Sequence, residues 1–213
     1  MRAVKRFEFI TEAEARVLAI GETVQLARGG LVTPLAADTL RERRITVVSD
    51  VFAPADAAAL APAADVRTIV IGSDHTGVAL RQTLVAFLRG RGVSVVDVGT
   101  DSTEPVDYPD IAEAVSRPVT RGEADAGIVI DGAGIGSAIA ANKVHGIRAV
   151  MATTETIARY SREHNGANVL ALGASLLTPD EAKAIVTTWI STPMREPRYL
   201  RRLAKISALE RRN

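Results

Sequence analysis

From residue 67 onward the chain alternates short, unbroken Val/Ile-rich runs with single stretches of helical period, and that rhythm leaves few folds open. The runs are TIVIGS, VSVVDVG, AGIVID, IRAVMA and NVLALG. Between and after them the apolar spacing predicts helices over 78–89, 111–120, 135–143, 155–163 and 179–189, with a basic helix near 195–211. Strands that are apolar on both faces and joined by single helices form a parallel sheet covered on both sides, so the fold class is α/β. In such sheets ligands collect where strands end and helices begin.

The first quarter of the chain is built differently. Eight of the twelve residues at 53–64 are Ala and two are Pro, with no hydrophobic period, so this stretch reads as a linker. The boundary is placed near residue 65, giving an N-terminal extension with linker over 1–65 and a main domain over 66–213. Within the extension, ETVQLA and ITVVSD read as strands around a helix that Thr33 caps and Pro34 opens. About 50 residues bury little surface, so this segment is expected to lean on a partner or on the main domain.

Composition narrows the chemistry. With no cysteine and only three histidines, disulfides and thiolate sites are excluded and little is left from which to build a metal centre; none is expected. No apolar run approaches the ~18 residues of a membrane span, and the first residues turn acidic before a signal-peptide core develops, so a cytosolic protein without membrane contact is expected. The formal charge of +1 conceals an asymmetry: residues 195–213 carry seven Lys/Arg and two Glu, leaving the remainder acidic. With 4% aromatic residues and only one basic end, nucleic-acid binding is disfavoured.

Four places along the chain carry candidate chemistry. Gly72-Ser73-Asp74-His75-Thr76-Gly77 sets a carboxylate and an imidazole just past a strand, where Asp74 either takes part in proton transfer or caps the next helix. Asp131-Gly132-Ala133-Gly134-Ile135-Gly136-Ser137 opens a helix with a Gly-x-Gly-x-Gly turn, whose bare amides suit a phosphate, a carboxylate or an enolate oxygen. It lacks the spacing of a dinucleotide fold and the Lys-Ser/Thr ending of a P-loop. Asp131 at its mouth is either a reacting carboxylate or a turn-stabilising acceptor. Arg162-Glu163-His164-Asn165-Gly166 ends a helix, so His164 either reacts or complements the helix terminus. Arg198 and Arg202, four apart on the last helix, emerge on one face and either grip a phosphate or form a solvated basic face.

Taken together with Asp107-Tyr108-Pro109, Ile139-Ala140-Ala141-Asn142-Lys143, Gly146-Ile147-Arg148-Ala149 and Asn168-Val169-Leu170, these motifs resemble the ribose-5-phosphate isomerase B family, which includes the galactose-6-phosphate isomerase subunits. The resemblance covers about residues 67–212. It implies a Rossmann-like three-layer sandwich with a five-stranded parallel sheet. It also implies a homodimer or homotetramer with active sites shared between subunits, no cofactor and no metal, and aldose–ketose isomerisation of a sugar phosphate through a cis-enediolate. Asp131 stands where one branch of the family has its cysteine base, and Ser137 where another branch places a glutamate. Carried over residue by residue, Asp131 is the base, while Gly132, Gly134, Ile135 and Gly136 hold the enediolate. Asp74 and His164 open the sugar ring, His75, Tyr108 and Asn165 order hydroxyls, and Arg198 and Arg202 hold the phosphate in the neighbour's site.

Two departures stand out. Ala133 replaces the family's Thr or Ser, and Ser175 stands where the family has an Arg, so either the substrate differs from ribose 5-phosphate or other arginines, such as Arg81 or Arg148, hold the phosphate. A tetrose phosphate is a candidate substrate. The alternative reading is a non-catalytic sugar-phosphate-binding or assembly protein. Phe9-Ile10-Thr11-Glu12-Ala13-Glu14 and Leu31-Val32-Thr33-Pro34-Leu35-Ala36-Ala37-Asp38 are similar to N-terminal segments of bacterial microcompartment enzymes, which implies that residues 1–50 bind shell or core partners inside such a compartment.

Overall fold

The computed structural model describes residues 4–49 and 60–210, so most of the Ala/Pro linker and Arg211 lie outside the described residues. The chain divides into two compact units, Met1–Ala59 and Leu60–Asn213.

The larger unit is built on five parallel strands in the order β5-β4-β6-β8-β7: β4 Thr68–Ser73, β5 Ser94–Asp97, β6 Ala126–Asp131, β7 Ala149–Met151 and β8 Val169–Gly173. Alternate residues of the central strands point to opposite faces. Ile69, Ile71, Ile128, Ile130, Leu170 and Leu172 meet helices α3 (Val78–Gly90), α6 (Glu155–Glu163) and α7 (Pro179–Ser191) through Leu84, Leu88, Ala158, Ile185 and Trp189. Val70, Val129, Val169 and Ala171 meet α4 (Tyr108–Thr120) and α5 (Ile135–Ala141) through Ala112, Val115 and Ala141. The layers are therefore helix, sheet, helix. Each fully buried Leu, Ile or Val contributes ~1.5–3 kcal/mol, which is why the apolar runs dictate this arrangement.

Local signals set the helix boundaries. Thr178 and Glu181 form a reciprocal capping box ahead of Pro179, and Thr154 accepts from the Ile157 amide at 3.2 Å. Helix α4 begins at Tyr108, three residues before the expected start, because Asp107 is its cap and Pro109 fits the first turn. The closing helix α8 spans Pro197–Glu210.

Residues 60–65, expected to be linker, group with the larger unit. Arg148 Nη2 donates to the Leu60 carbonyl at 2.9 Å and Arg162 Nη2 to the Ala63 carbonyl at 2.9 Å. Arg162 is fully buried, 4.7 Å from the Trp189 ring centroid; burial and the like charge of Arg148 push its pKa down to about 10.

The smaller unit has its own core. Parallel strands β1 (Arg6–Ile10), β2 (Thr23–Val32) and β3 (Thr46–Ser49) lie in that order, with α1 (Glu12–Val17) and α2 (Pro34–Glu42) in the connections. Ile10, Leu18, Val24, Leu26 and Leu40 are buried together. The Thr39 hydroxyl donates to the Glu12 carboxylate at 2.7–2.8 Å, tying α2 to α1. Strand β1 and helix α1 were not anticipated, although Thr11-x-x-Glu14 carries a capping-box signature and the box forms.

Candidate active site

In the strand order β5-β4-β6-β8-β7, the helices after β4 and β6 leave to opposite faces, which opens a crevice beyond the carboxyl ends of those two strands. Asp74 and Asp131 stand there, each 6% exposed, and the Asp74 amide donates to the Ile130 carbonyl at 3.1 Å. The Asp74 carboxylate does not cap α3. Its Oδ1 accepts from the Thr76 amide at 2.9 Å and the Thr76 hydroxyl at 2.6 Å. His75 Nδ1 accepts from the Val106 amide at 3.3 Å, which ties the first junction to the loop before Tyr108.

Asp131 is wrapped by its own turn. One carboxylate oxygen accepts from the amides of Ala133, at 2.8 Å, and Gly134; the other accepts from the Ser137 amide at 2.8 Å. Gly134 has φ +77°, and a Cβ there would stand 2.9 Å from the Leu172 carbonyl carbon, so only glycine fits. Burial works against the charged carboxylate, but the neighbouring Ser137 hydroxyl and the Ser137, Gly134 and Ala133 amides outweigh it and hold the pKa below the usual Asp value. The turn-stabilising role open at this position is thus realised in the structure, at the mouth of the crevice. Of the four amides expected to hold an enediolate, Gly134 is given to Asp131, whereas those of Ile135 and Gly136 donate to no group among the described residues. The Tyr108 ring lies against Gly136, where a Cβ would come within 2.7 Å of its Cζ.

His164 and Asn165 lie elsewhere. They follow α6 and precede β8, and a helix linking parallel strands returns the chain to their amino ends. Strands of five or six residues separate the two edges by ~17–20 Å. At that edge His164 stacks on Tyr160 at 4.6 Å between centroids and packs on Tyr199 at 4.5 Å. Tyr199 also carries Arg198 and Arg202, whose guanidinium carbons lie 4.8 and 5.7 Å from its centroid. The structure therefore sorts the expected residues into two groups: Asp74, His75, Tyr108, Asp131 and the glycine turn at one edge, and His164, Asn165, Arg198 and Arg202 at the other.

Neither alternative phosphate-holding arginine is free. Arg81 is 1% exposed and engages Asp97, Asp101 and the Thr100 carbonyl; Arg148 engages the Gly166 and Leu60 carbonyls. Sequence reading overlooked Thr76, Tyr160 and Tyr199. The i, i+4 spacing of Tyr160 and His164 was the one legible sign of that stack. Among the described residues no group of three or more His, Asp or Glu side chains could hold a metal ion, and no helix is long and apolar enough to cross a membrane.

A family model described as Ribose/Galactose Isomerase matches residues 69–206. Ribose-5-phosphate isomerase B of Escherichia coli is 44% identical over 146 residues, 68% of this chain and 98% of that protein. D-erythrulose-4-phosphate isomerase of Pectobacterium atrosepticum is 38% identical over 125 residues, 58% of this chain and 82% of that protein. The solved structure of ribose-5-phosphate isomerase B from Clostridium thermocellum superposes with a TM-score of 0.67 at 48% identity, covering 68% of this chain and 98% of that one.

Proposed function

The chain belongs to the ribose/galactose isomerase family, and we propose that it interconverts the aldose and ketose forms of a small sugar phosphate through a cis-enediolate, with Asp131 as the base. The supporting observation is the Asp131 carboxylate at the switch-point crevice, ionised by the turn that presents it, with the Ile135 and Gly136 amides beside it. Asp131 takes the proton from C2 of the aldose and returns it to C1, while the proton of the C2 hydroxyl passes to the C1 oxygen, so that C1 ends as the alcohol and C2 as the ketone. The electron pair passes to the carbonyl oxygen, whose charge meets oriented N–H donors. A carboxylate of depressed pKa is a weak base, so the Ala133, Gly134 and Ser137 amides must loosen their hold on Asp131 as the proton moves, while the Ile135 and Gly136 amides receive the oxyanion. Asp74 and His164 open the ring, and His75, Tyr108 and Asn165 order hydroxyls.

The two groups lie at opposite edges of one sheet, so a complete site requires two copies of the chain. Asp74, Tyr108 and Asp131 of one copy face His164, Asn165, Arg198 and Arg202 of another, the arginines holding the phosphate. Hydrogen exchange from solvent into C2 of ribose 5-phosphate and into D-erythrulose 4-phosphate tests the reading. Exchange by the wild type and its loss in Asp131→Ala is expected; exchange retained in the variant would remove Asp131 from this role. Thermal stabilisation by sugar phosphate without exchange would favour the competing reading of a binding protein, which the amide-wrapped state of Asp131 makes worth testing.

For the N-terminal unit we propose docking to partners inside a bacterial microcompartment. Phe9 and Leu31 pair across β1 and β2 and are 53% and 59% exposed, an apolar surface that a unit of this size does not need for its own core. The relatives consist almost wholly of the larger unit, so it folds without this segment. Deleting residues 1–49 should leave turnover within about twofold and abolish co-purification with compartment shells; retained co-purification would refute docking.

A further inference from the structure

We infer that Ser175 is a specificity-determining residue: with Thr76 it forms an uncharged, two-hydroxyl subsite over Gly132 that reads a neutral oxygen of the sugar next to the carbon Asp131 serves. The inference rests on the isomerase reading and names which end of the substrate lies at this edge. A Cβ built on Gly132 would stand 3.7 Å from Thr76 Oγ1 and 3.9 Å from Ser175 Oγ. Glycine at 132 thus leaves an opening bounded by two hydroxyls, one residue from Asp131.

The backbone around Ser175 is fixed while its side chain is free. Its amide donates to the Gly132 carbonyl at 2.9 Å, and the Ala174 amide donates to the Asp131 carbonyl at 2.8 Å, so the turn after β8 is bonded to the turn that carries the base. The Ser175 hydroxyl is exposed and has no hydrogen-bond partner among the described residues. Thr76 gives its proton to Asp74 at 2.6 Å and can only accept from the opening. Ser175 can donate. A sugar hydroxyl, which accepts one hydrogen bond and donates another, satisfies both.

A phosphate does not fit this pair. The Asp74 carboxylate, bonded to the Thr76 hydroxyl, adjoins the opening, and Arg81 and Arg148 are committed to other groups. The neutral end of the substrate therefore binds here, and its anionic end points toward Arg198 and Arg202 of a second copy.

The test compares kcat/KM of the wild type, Ser175→Ala and Ser175→Thr on ribose 5-phosphate and D-erythrulose 4-phosphate, with inhibition by inorganic phosphate measured for each. Ser175→Ala should lower kcat/KM about tenfold on the better substrate and Ser175→Thr, which keeps the hydroxyl, by no more than about threefold, with phosphate inhibition unchanged in all three. The inference is overturned if Ser175→Ala matches the wild type on both sugars, or if it weakens phosphate inhibition as much as turnover. Should the wild type convert neither sugar, the isomerase reading falls instead. Thermal shifts with ribose 5-phosphate then decide the subsite, since Ser175→Ala must lose stabilisation that Ser175→Thr retains.

Discussion

The two edges of the central sheet carry chemistry of opposite kinds. At the carboxyl edge, Asp74 and Asp131 are nearly buried and held by backbone amides and a threonine hydroxyl, so their positions are set by the chain that surrounds them. At the amino edge, Arg198 and Arg202 are exposed, and His164 is positioned by aromatic stacking on Tyr160 and Tyr199. A group that moves a proton gains from rigid, desolvated surroundings. A group that captures a dianion gains from exposure and long reach. Neither edge supplies both.

The sharpest way to break this comparison is to disable each edge in turn. Asp131→Ala should lower kcat by ~10³-fold, the scale of a positioned general base, with KM little changed. Replacing both Arg198 and Arg202 by Ala should lower kcat/KM by ~10²-fold, mostly through KM, because charge-assisted bonds to a phosphate are lost. Co-expressing the two inactive chains should then restore one intact site in each mixed pair. No recovery in mixed pairs would mean that the edges do not meet across copies. A smaller effect concerns stability: Leu84→Ala, on the buried face of α3, should lower unfolding free energy by ~2–5 kcal/mol in denaturant titrations without altering KM.

The subtlest effect is in the pH dependence. As the proposed base Asp131 would work as a carboxylate, so activity that depends on it should be present above its depressed native pKa and lost as pH falls through that value. The Ser137 hydroxyl makes no hydrogen bond among the described residues but favours the charged carboxylate beside it, so in Ser137→Ala, which keeps the amide bond, the pKa rises and the acid limb of kcat/KM moves to higher pH. An unmoved acid limb would detach the Ser137 hydroxyl from the base. Stability follows the same sign: Asp131's contribution is fully present above the ordinary Asp pKa of ~3.9 and fades as pH drops through its native value. The difference in Tm between the wild type and Asp131→Ala should therefore shrink in acid.

Relatives made almost entirely of the larger unit explain why that part of the chain was the more legible. Its strands are continuous apolar runs and the helices after Thr154 and Thr178 have side-chain caps, so TIVIGS, AGIVID and the helix after Thr178 were readable without coordinates. In the N-terminal unit the two elements that escaped reading are short and largely exposed. Strand β1, RFEFI, and helix α1, six residues long, gave too little periodicity to register. The glycine turn announced a site, yet its sequence was silent on which acceptor its amides hold.

The order of residues alone determined the layers and strand count of the larger unit and the junctions worth searching, because alternation and helical period act over a few neighbouring residues. Only the folded chain decided that Gly134 serves Asp131, that Arg81 and Arg148 are spent inside the structure, and that His164 shares an edge with Arg198 rather than with Asp74. Those outcomes depend on which hydrogen-bond acceptor wins a buried donor and on which end of a parallel strand a loop returns to. Both are settled by contacts between residues far apart in the chain.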